Sequence, residues 1–187
     1  GKDVTPSTDQ KYVYLTAKVD EANKIYGTDT EESDKYGLLY MDVANSVSGW
    51  GGFHVNEYDG GTSTNKGELS MNVDGARKVF TQGLSANTDA TLTFDLSGIK
   101  AERFEGYVGI DYTKSTKTNR DGANFIFYKD SISEENKLAE SGVILQPDNA
   151  KLMNVDLTGV EKLIIYIDKV GGKNYDCVDI ADAKLYV

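Results

Sequence analysis

From residue 67 onward, hydrophobic and polar residues alternate at every second position, which predicts β-strands with one buried face. The alternating sets are Leu69/Met71/Val73, Leu92/Phe94/Leu96, Phe125/Phe127, Met153/Val155/Leu157 and Leu163/Ile165/Ile167. The runs are short, and turns rich in Gly, Asn, Asp and Ser separate them. This spacing is typical of an all-β, antiparallel β-sandwich or jelly roll. Residues 20–36 predict either a helical turn or a long acidic surface loop.

Two stretches of the sequence resemble each other. FDLSGIKAERFEGYVGID at 94–111 and VDLTGVEKLIIYID at 155–168 both run from a strand through an Asp-Leu-Ser/Thr-Gly turn into a second strand that ends in Asp. We therefore expect the same hairpin to be used twice.

The connections between the strands divide into two groups if successive strands alternate in direction. The tight connections at 73–77, 96–100, 130–137 and 157–161 then share one end of the sandwich. The connections at 56–66, 82–90, 111–122, 146–150 and 169–176 share the other end. The second group is longer and rich in Asn, Asp, Thr, Gly and Tyr. A rigid scaffold that presents such loops predicts a binding site at that end.

Composition limits the partners of the chain. Its 187 residues show no linker, so we predict a single domain over 1–187 that functions as a monomer. The net charge is −10 without a basic cluster, which argues against binding to nucleic acid or to an anionic membrane. The longest apolar runs, such as KLIIYI at 162–167, have the length of a strand, so we expect no membrane insertion. No signal peptide opens the chain, but the first residues, GKDVTPSTDQ, look trimmed, so this says little about localisation.

The single Cys and the single His exclude other classes of site. One cysteine cannot form an intramolecular disulfide, and one histidine cannot supply a site that needs two imidazoles. Cys177 lies in YDCVDIA, where we expect it to be a small buried residue of a strand.

The segment SGWGGFHVNEYDGG at 48–61 contains the only Trp and the only His of the chain among five glycines. Sugars bind to a flat aromatic platform together with fixed groups that hydrogen-bond their hydroxyls. Candidate platforms are Trp50, Tyr58, Tyr112 and Tyr175. Candidate hydroxyl-binding residues are His54, Asn56, Glu57, Asn87, Asp89, Asn119, Arg120, Asn174 and Asp176. The alternatives are that Trp50 belongs to the core and that the Asn and Asp side chains only shape turns.

Metal binding and catalysis are further hypotheses. No cofactor is required, but Asp182 together with oxygens of the 56–61 loop is a candidate site for a structural Ca²⁺. A small jelly-roll glycosidase needs only two carboxylates, ~5 Å apart for retention or ~6.5–9.5 Å for inversion. Glu57, Glu68, Glu105 and Glu140 are candidates. However, Glu57 lies in a Gly-rich loop, and Glu105 and Glu140 are predicted to face outward. No nucleophile–base motif, phosphate loop or dinucleotide fingerprint is present.

Six ordered blocks carry a resemblance to a known family. They are GWG, GELSMNVDG, TQGLSANTDATLTFDLSGIKAERFEGYVGIDY, ANFIFYKD with KLAESG, VDLTGVEKLIIYID and DIADAKLYV. From about Asp42 to the C-terminus the chain resembles the family 51 carbohydrate-binding modules and the related novel putative carbohydrate-binding modules. Two positions depart from the family pattern. Asn87 stands where many relatives have the His of Gly-x-x-x-His-Ala, and VDIADA replaces a final His-Ala-Asp-Trp.

The resemblance implies a fold, a function and a setting. It implies a β-sandwich like that of galactose-binding domains, appended to a secreted, extracellular bacterial glycoside hydrolase. It also implies a noncatalytic, lectin-like module for terminal galactose or blood group A/B glycans, tethering the catalytic module of the same parent chain. The predicted sugar-binding residues are Trp50, His54, Glu57, Asn87, Asp89, Tyr112, Asn174 and Asp176. A two-carboxylate glycosidase and a protein–protein adhesion sandwich remain alternatives.

Overall fold

The structure is a computed structural model that describes residues 10–32, 37–60, 64, 66–117, 121–172 and 176–187. In these ranges the chain forms strands β1–β16, joined by loops and short 3₁₀ turns. The strands are β1 Tyr12–Thr16, β2 Ile25–Gly27, β3 Gly37–Tyr40, β4 Phe53–Val55, β5 Tyr58–Asp59, β6 Lys66–Gly67, β7 Leu69–Val73, β8 Ala76–Phe80, β9 Gly83–Asn87, β10 Ala90–Asp95, β11 Arg103–Ile110, β12 Ala123–Lys129, β13 Lys137–Ile144, β14 Lys151–Asp156, β15 Lys162–Asp168 and β16 Cys177–Tyr186. The 3₁₀ turns are Glu21–Asn23, Val43–Asn45, Tyr112–Lys114 and Glu134–Asn136. No helix in the described ranges is long and apolar enough to cross a bilayer.

Two sheets face each other across one core. The larger sheet has the order β14-β11-β16-β9-β4-β2, and β1 pairs with β16 and β3. The smaller sheet has the order β10-β15-β12-β13. Phe104 of the larger sheet and Phe127 of the smaller one are fully buried, and their ring centroids are 5.0 Å apart. The predicted β-sandwich is confirmed, and so is each alternating strand, because alternation at period two buries one face of each strand.

The N-terminal strands were not predicted, and they also change the sheet from purely antiparallel to mixed. β1 pairs with β3 and β2 pairs with β4 in parallel. Of the predicted helical turn in 20–36, the structure forms only the short 3₁₀ turn Glu21–Asn23, which the Asp20 side chain caps by accepting from the Ala22 N–H. Residues 33–36 lie outside the described residues.

The two similar stretches are not hairpins, so that expectation was wrong. In each stretch the Asp-Leu-Ser/Thr-Gly turn carries the chain from one sheet to the other, and β10 pairs with β15 while β11 pairs with β14. The two turns bond to each other reciprocally. The Leu96 N–H donates to the Glu161 carbonyl (2.8 Å) and the Leu157 N–H donates to the Glu102 carbonyl (2.9 Å). The repeat therefore closes one end of the sandwich as a pair of arches.

Strands β5–β8 form two small ladders that are not part of either sandwich sheet. Leu69, Met71 and Phe80 pack against Ala181 in a second, smaller apolar cluster. On β16, Val178 and Ile180 face the core. Side chains alternate along a strand, so Asp179 and Ala181 face the other way. The cluster around Ala181 therefore covers the outer face of the larger sheet. We call residues 58–80 the outer cover.

The outer cover corrects the predicted position of the 73–77 turn. We expected this turn at the closed end, opposite the 146–150 loop. Instead, the Gly75 N–H donates to the Asn149 side-chain oxygen (3.0 Å) and the Ala150 N–H donates to the Asn72 carbonyl (2.7 Å). The prediction was wrong because β7 and β8 do not take part in the alternation of the sandwich strands.

Candidate functional site

The predicted loop end is formed by hydrogen bonds between its connections. The Thr88 hydroxyl donates to Asp176 (2.8 Å), and the Gln146 side-chain amide donates to the other oxygen of Asp176 (3.0 Å). The Lys169 N–H donates to Asp89 (2.8 Å). These bonds join the 82–90, 146–150 and 169–176 connections, as alternation of the strands predicted.

Trp50 stands on this end with 58 % of its surface exposed, so the alternative that placed it in the core was wrong. Its turn is fixed to the end of β9. The Gly49 N–H donates to the Asn87 carbonyl (2.8 Å), the Asn87 N–H donates to the Ser48 hydroxyl (3.1 Å), and that hydroxyl donates to the Trp50 carbonyl (3.1 Å). An exposed indole is thus presented on a backbone with little freedom.

Glycine allows this turn to lie so close to its neighbour. A Cβ at Gly49 would overlap the Thr88 carbonyl group, so only glycine fits there. The glycines around Trp50 are therefore sites of close backbone approach rather than a flexible linker.

A chain of polar side chains runs from Asn87 beneath the surface. The Asn87 side-chain Nδ2 donates to Asp59 Oδ2 (2.8 Å), and Asp59 Oδ1 lies 3.3 Å from His54 Nε2. His54 Nδ1 lies 2.9 Å from Glu57 Oε1. Asp59 and His54 are buried, whereas the Glu57 side chain retains 14 % exposure. Glu57 and Asn87 are thus the members of the chain nearest to solvent.

His54 belongs to a row of side chains on the outer face of the larger sheet. It is paired with Tyr26 of β2 and Ser85 of β9, and Ser85 is paired with Asp179 of β16. Burial lowers the pKa of His54, although Glu57 opposes this effect. The lowered pKa favours the neutral imidazole, and because Nε2 has no hydrogen-bond partner in the described part of the chain, we assign the proton to Nδ1, which donates it to Glu57.

Asp89, Asp176 and Tyr112 have structural contacts of their own. Asp89 and Asp176 brace loops as described above, and Asp176 is 1 % exposed. Tyr112 is 37 % exposed, and the Arg77 guanidinium lies 5.7 Å from the centre of its ring. Asn174, Tyr175, Asn119 and Arg120 lie outside the described residues. The structure thus brings together Trp50, Asn87, His54 and Glu57 through Asp59, which the sequence did not identify.

Asp176 provides a test of the loop end. Burial raises the pKa of Asp176 from 3.8 to about 6, although Thr88 and Gln146 bond to its carboxylate. Because the folded-state pKa is raised, its contribution to stability is fully present below about pH 4 and is lost as pH rises through about 6. In Asp176→Asn, the new Oδ1 accepts from the Gln146 amide and the new N–H₂ donates to the Thr88 hydroxyl, which then accepts instead of donating, so two bonds remain without the charge. We expect Asp176→Asn to become more stable relative to wild type as pH rises from 5 to 7.5, by at most ~3 kcal/mol in the free energy of unfolding. Thermal unfolding at several pH values measures this as a growing difference in Tm. A pH-independent difference would contradict this assignment.

Three buried carboxylates lie where the outer cover meets the larger sheet. Asp59, Asp111 and Asp179 are at most 2 % exposed, and neither oxygen of Asp179 has a hydrogen bond in the described part of the chain. Burial and the neighbouring Asp111 raise the pKa of Asp179 well above its ordinary range. This shift favours the neutral carboxylic acid form of Asp179 in the folded protein. Neighbouring Cys177 is buried, as predicted, and burial raises the pKa of its thiol.

Asp182, the candidate calcium ligand, occupies a bulge of β16. Its backbone has φ of +48°, and its N–H donates to the Gln82 carbonyl (3.0 Å). The charges that act on it are those of Lys78 and Lys184, which do not favour a cation. Within the described ranges no three acidic, His or Cys side chains are arranged to hold a metal ion. A structural Ca²⁺ stays a prediction.

The four candidate catalytic glutamates do not line a common cleft. Glu105 is paired with Arg103 (2.8 Å) on the larger sheet, and Glu140 with Lys137 (2.9 Å) on the smaller one. Glu57 is bonded to His54, and Glu68 is exposed on the outer cover. This distribution does not favour the two-carboxylate mechanism, which needs its acids on opposite sides of one bond.

Comparisons with known proteins agree with the fold. The profile of the family described as NPCBM/NEW2 domain matches residues 35–186. Comparison with curated protein sequences gives no significant match.

Several solved structures have the same fold. The CBM51 of Clostridium perfringens GH95, determined in complex with methyl-galactose, has a TM-score of 0.65 at 19 % identity, covering 75 % of this chain and 92 % of that one. The CBM51-2 and INT domains of C. perfringens ZmpB, in complex with GlcNAc, give 0.66 at 20 %, covering 81 % and 32 %. The tandem CBM51 modules of Sp3GH98, the family 98 glycoside hydrolase from Streptococcus pneumoniae SP3-BS71, give 0.66 at 17 %, covering 80 % and 45 %. This chain thus spans less than half of the two multidomain chains.

Proposed function

Because the chain belongs to the NPCBM/NEW2 domain family, we propose that it is a noncatalytic carbohydrate-binding module that holds an attached catalytic module close to its substrate. Weak binding of a tethered module raises the effective concentration of the enzyme at the glycan surface. The affinity of one site is expected to be modest, since a shallow site buries little area and competes with water for each hydroxyl.

The observation that carries this proposal is the exposed Trp50 fixed beside Asn87. Nothing in the core needs an indole at this position, because its side chain is more than half exposed. The apolar face of a sugar ring stacks on such a platform, and nearby polar groups bond its hydroxyls. In this arrangement Trp50 is the platform, and Asn87 and Glu57 bind hydroxyls. His54 acts beneath the surface by orienting Glu57.

The proposed ligand is a glycan that ends in galactose, including blood group A/B types. The support is the similarity to the GH95 module, which was solved in complex with methyl-galactose. The matched region covers 92 % of that chain. The ZmpB module was solved with GlcNAc instead, so related modules accept different sugars. Asn87 contributes an amide at the site, and amides discriminate hydroxyl positions through directional bonds.

We further propose that the chain is part of a secreted bacterial enzyme. Support comes from the setting of the similar modules, which belong to glycoside hydrolases and, in ZmpB, to a chain with an M60 catalytic domain. The catalytic partner of this chain is proposed to be a glycoside hydrolase.

Trp50→Ala is expected to lower the affinity for a galactose-terminated glycan at least about tenfold, with little change in Tm, because an exposed indole contributes platform area and little core packing. The measurement is a glycan array followed by titration calorimetry, with thermal unfolding to check folding. Tyr40→Ala is the matched control, since Tyr40 is an aromatic side chain of comparable exposure (44 %) on β3.

Three outcomes count against parts of this proposal. Binding that survives in Trp50→Ala moves the site to other loops. Hydrolysis of glycosides at enzyme-like rates favours the two-carboxylate alternative. Absence of glycan binding by the wild type removes the sugar-binding function and favours an adhesion domain.

A further inference from the structure

The orientation of the Asn87 side-chain amide is determined by its neighbours. One terminal atom of this amide lies 2.8 Å from Asp59 Oδ2 and 3.5 Å from the Trp50 carbonyl oxygen. A carboxylate and a carbonyl only accept hydrogen bonds, so the atom between them must be the N–H donor Nδ2. In the reverse orientation three acceptors would face one another.

Asp59 is itself held rigidly. It is 2 % exposed. Its backbone N–H bonds to the Ser85 hydroxyl (3.1 Å), and its carbonyl accepts from the Cys177 thiol (3.2 Å). Both partners lie on central strands of the larger sheet. The backbone of Asp59 is therefore held to the sheet, and burial restricts the side chain whose carboxylate faces Asn87.

Oδ1 of Asn87 is the atom that remains for a ligand. None of the contacts in the described ranges uses Oδ1, and the residue is partly exposed next to Trp50. With Nδ2 occupied, Asn87 offers an acceptor and no donor. Trp50, whose indole carries an N–H donor, is exposed on the same surface.

We propose that Asp59 is a positioning residue that fixes Asn87 as a hydrogen-bond acceptor, so that the site selects sugars with a donating hydroxyl at one ring position. This inference rests on the proposed sugar-binding function. It adds a direction to the hydrogen bond at this position: Asn87 accepts, so a sugar substituent that cannot donate binds poorly there.

Deoxyfluoro galactosides test this polarity, because fluorine replaces a hydroxyl with a group of similar size that cannot donate. We expect the wild type to bind methyl galactoside and to lose at least tenfold in affinity for one of the 2-, 3-, 4- or 6-fluoro derivatives. In Asp59→Ala the Asn87 amide is free to rotate and donate from Nδ2. The penalty for that derivative, relative to methyl galactoside bound by the same variant, is then expected to fall below about threefold.

Asp59→Asn is the matched control. Its new Oδ1 accepts from Asn87 Nδ2, and its new Nδ2 donates to the unprotonated Nε2 of His54, so the fluorine penalty is expected to persist. A merely structural role of Asp59 would weaken all sugars equally and leave the ratio unchanged in Asp59→Ala. That result would overturn the inference. Loss of the fluorine penalty in both Asp59→Ala and Asp59→Asn would overturn it as well.

The failure of the proposed function has a different outcome, since the wild type would then bind no galactoside at all, and the inference would fall with it. Asp59→Ala has a fallback if it does not fold. In a crystal structure of the wild type with methyl galactoside, a bond from Asn87 Nδ2 to the sugar in place of its bond to Asp59 would overturn the inference. An Asn87 side chain that keeps its bond to Asp59 and contacts a sugar hydroxyl with its other terminal atom supports it.

Discussion

Gly52→Ala is expected to lower the free energy of unfolding by about 3 kcal/mol or to prevent folding. A Cβ at this position would overlap the Lys24 carbonyl oxygen and approach the carbonyl carbon and Cβ of Lys24 to 2.8 Å. The neighbouring Phe53 N–H donates to the same carbonyl (3.0 Å), which holds β4 beside β2. Backbone atoms cannot move aside as the tip of a side chain can, so the overlap must separate the two strands.

Gly98→Ala is the control for this change. Gly98 lies in the 96–100 arch, and a Cβ there meets nothing within 4 Å. We expect a change of at most about 0.5 kcal/mol, as for an ordinary surface position. Urea unfolding followed by far-ultraviolet circular dichroism measures both variants. Equal stability of Gly52→Ala and Gly98→Ala would show that β2 and β4 are not packed as described.

Asp179→Asn is expected to stabilise the protein at pH 7 to 8, by about 2 kcal/mol or roughly 5 °C in Tm. The folded-state pKa of Asp179 is raised above its unfolded value, so its contribution is favourable only below the unfolded pKa and is lost as pH rises toward the folded one. Folding at neutral pH therefore requires a proton to be taken up. An amide needs no proton, since its N–H₂ can donate to Asp111 and its oxygen can accept from the Ser85 hydroxyl.

The control for this substitution is Asp95→Asn. Asp95 is exposed, and hydrogen bonds from Ser97 lower the pKa of its carboxyl, so loss of its charge is expected to leave stability unchanged or slightly reduced at neutral pH. Thermal unfolding from pH 4 to 8, with and without Ca²⁺, measures both variants. If Asp179→Asn is less stable than wild type, and Ca²⁺ raises the Tm of the wild type alone, a cation neutralises the buried carboxylates and the neutral-acid assignment is wrong.

The sequence was sufficient to predict the strands of the sandwich core because their pattern is local. A residue such as Phe94 or Ile165 is buried by the period-two alternation of its own strand. The arches were misassigned as hairpins because the partner of β10 is β15, about 70 residues away, and a local pattern carries no information about pairing at that distance. The outer cover was misplaced for a related reason. β7 has the alternation of a core strand, but its buried side chains Leu69 and Met71 face the back of the larger sheet.

The candidate site was predicted in part. The position of Trp50, the single Trp of the chain, in a Gly-rich turn indicated a binding surface. The structure shows that its side chain is exposed. The role of Asp59 could not be predicted, because Asp59 depends on Asn87 and His54, which reach it from other strands. The surroundings of Asp182 could not be predicted, because this residue lies in a bulge of β16 that no sequence pattern marks.

β16 has a consequence for how the domain is made. It is the last strand in the described part of the chain, yet it pairs with β11 along nearly its whole length, with β9 along its first half and with β1 at its end. On the ribosome, β1, β9 and β11 emerge without the strand that joins them. β1 can pair with β3, β4 with β9 and β11 with β14 as they emerge, but these parts are joined into one sheet only after residues 177–186 have been synthesised.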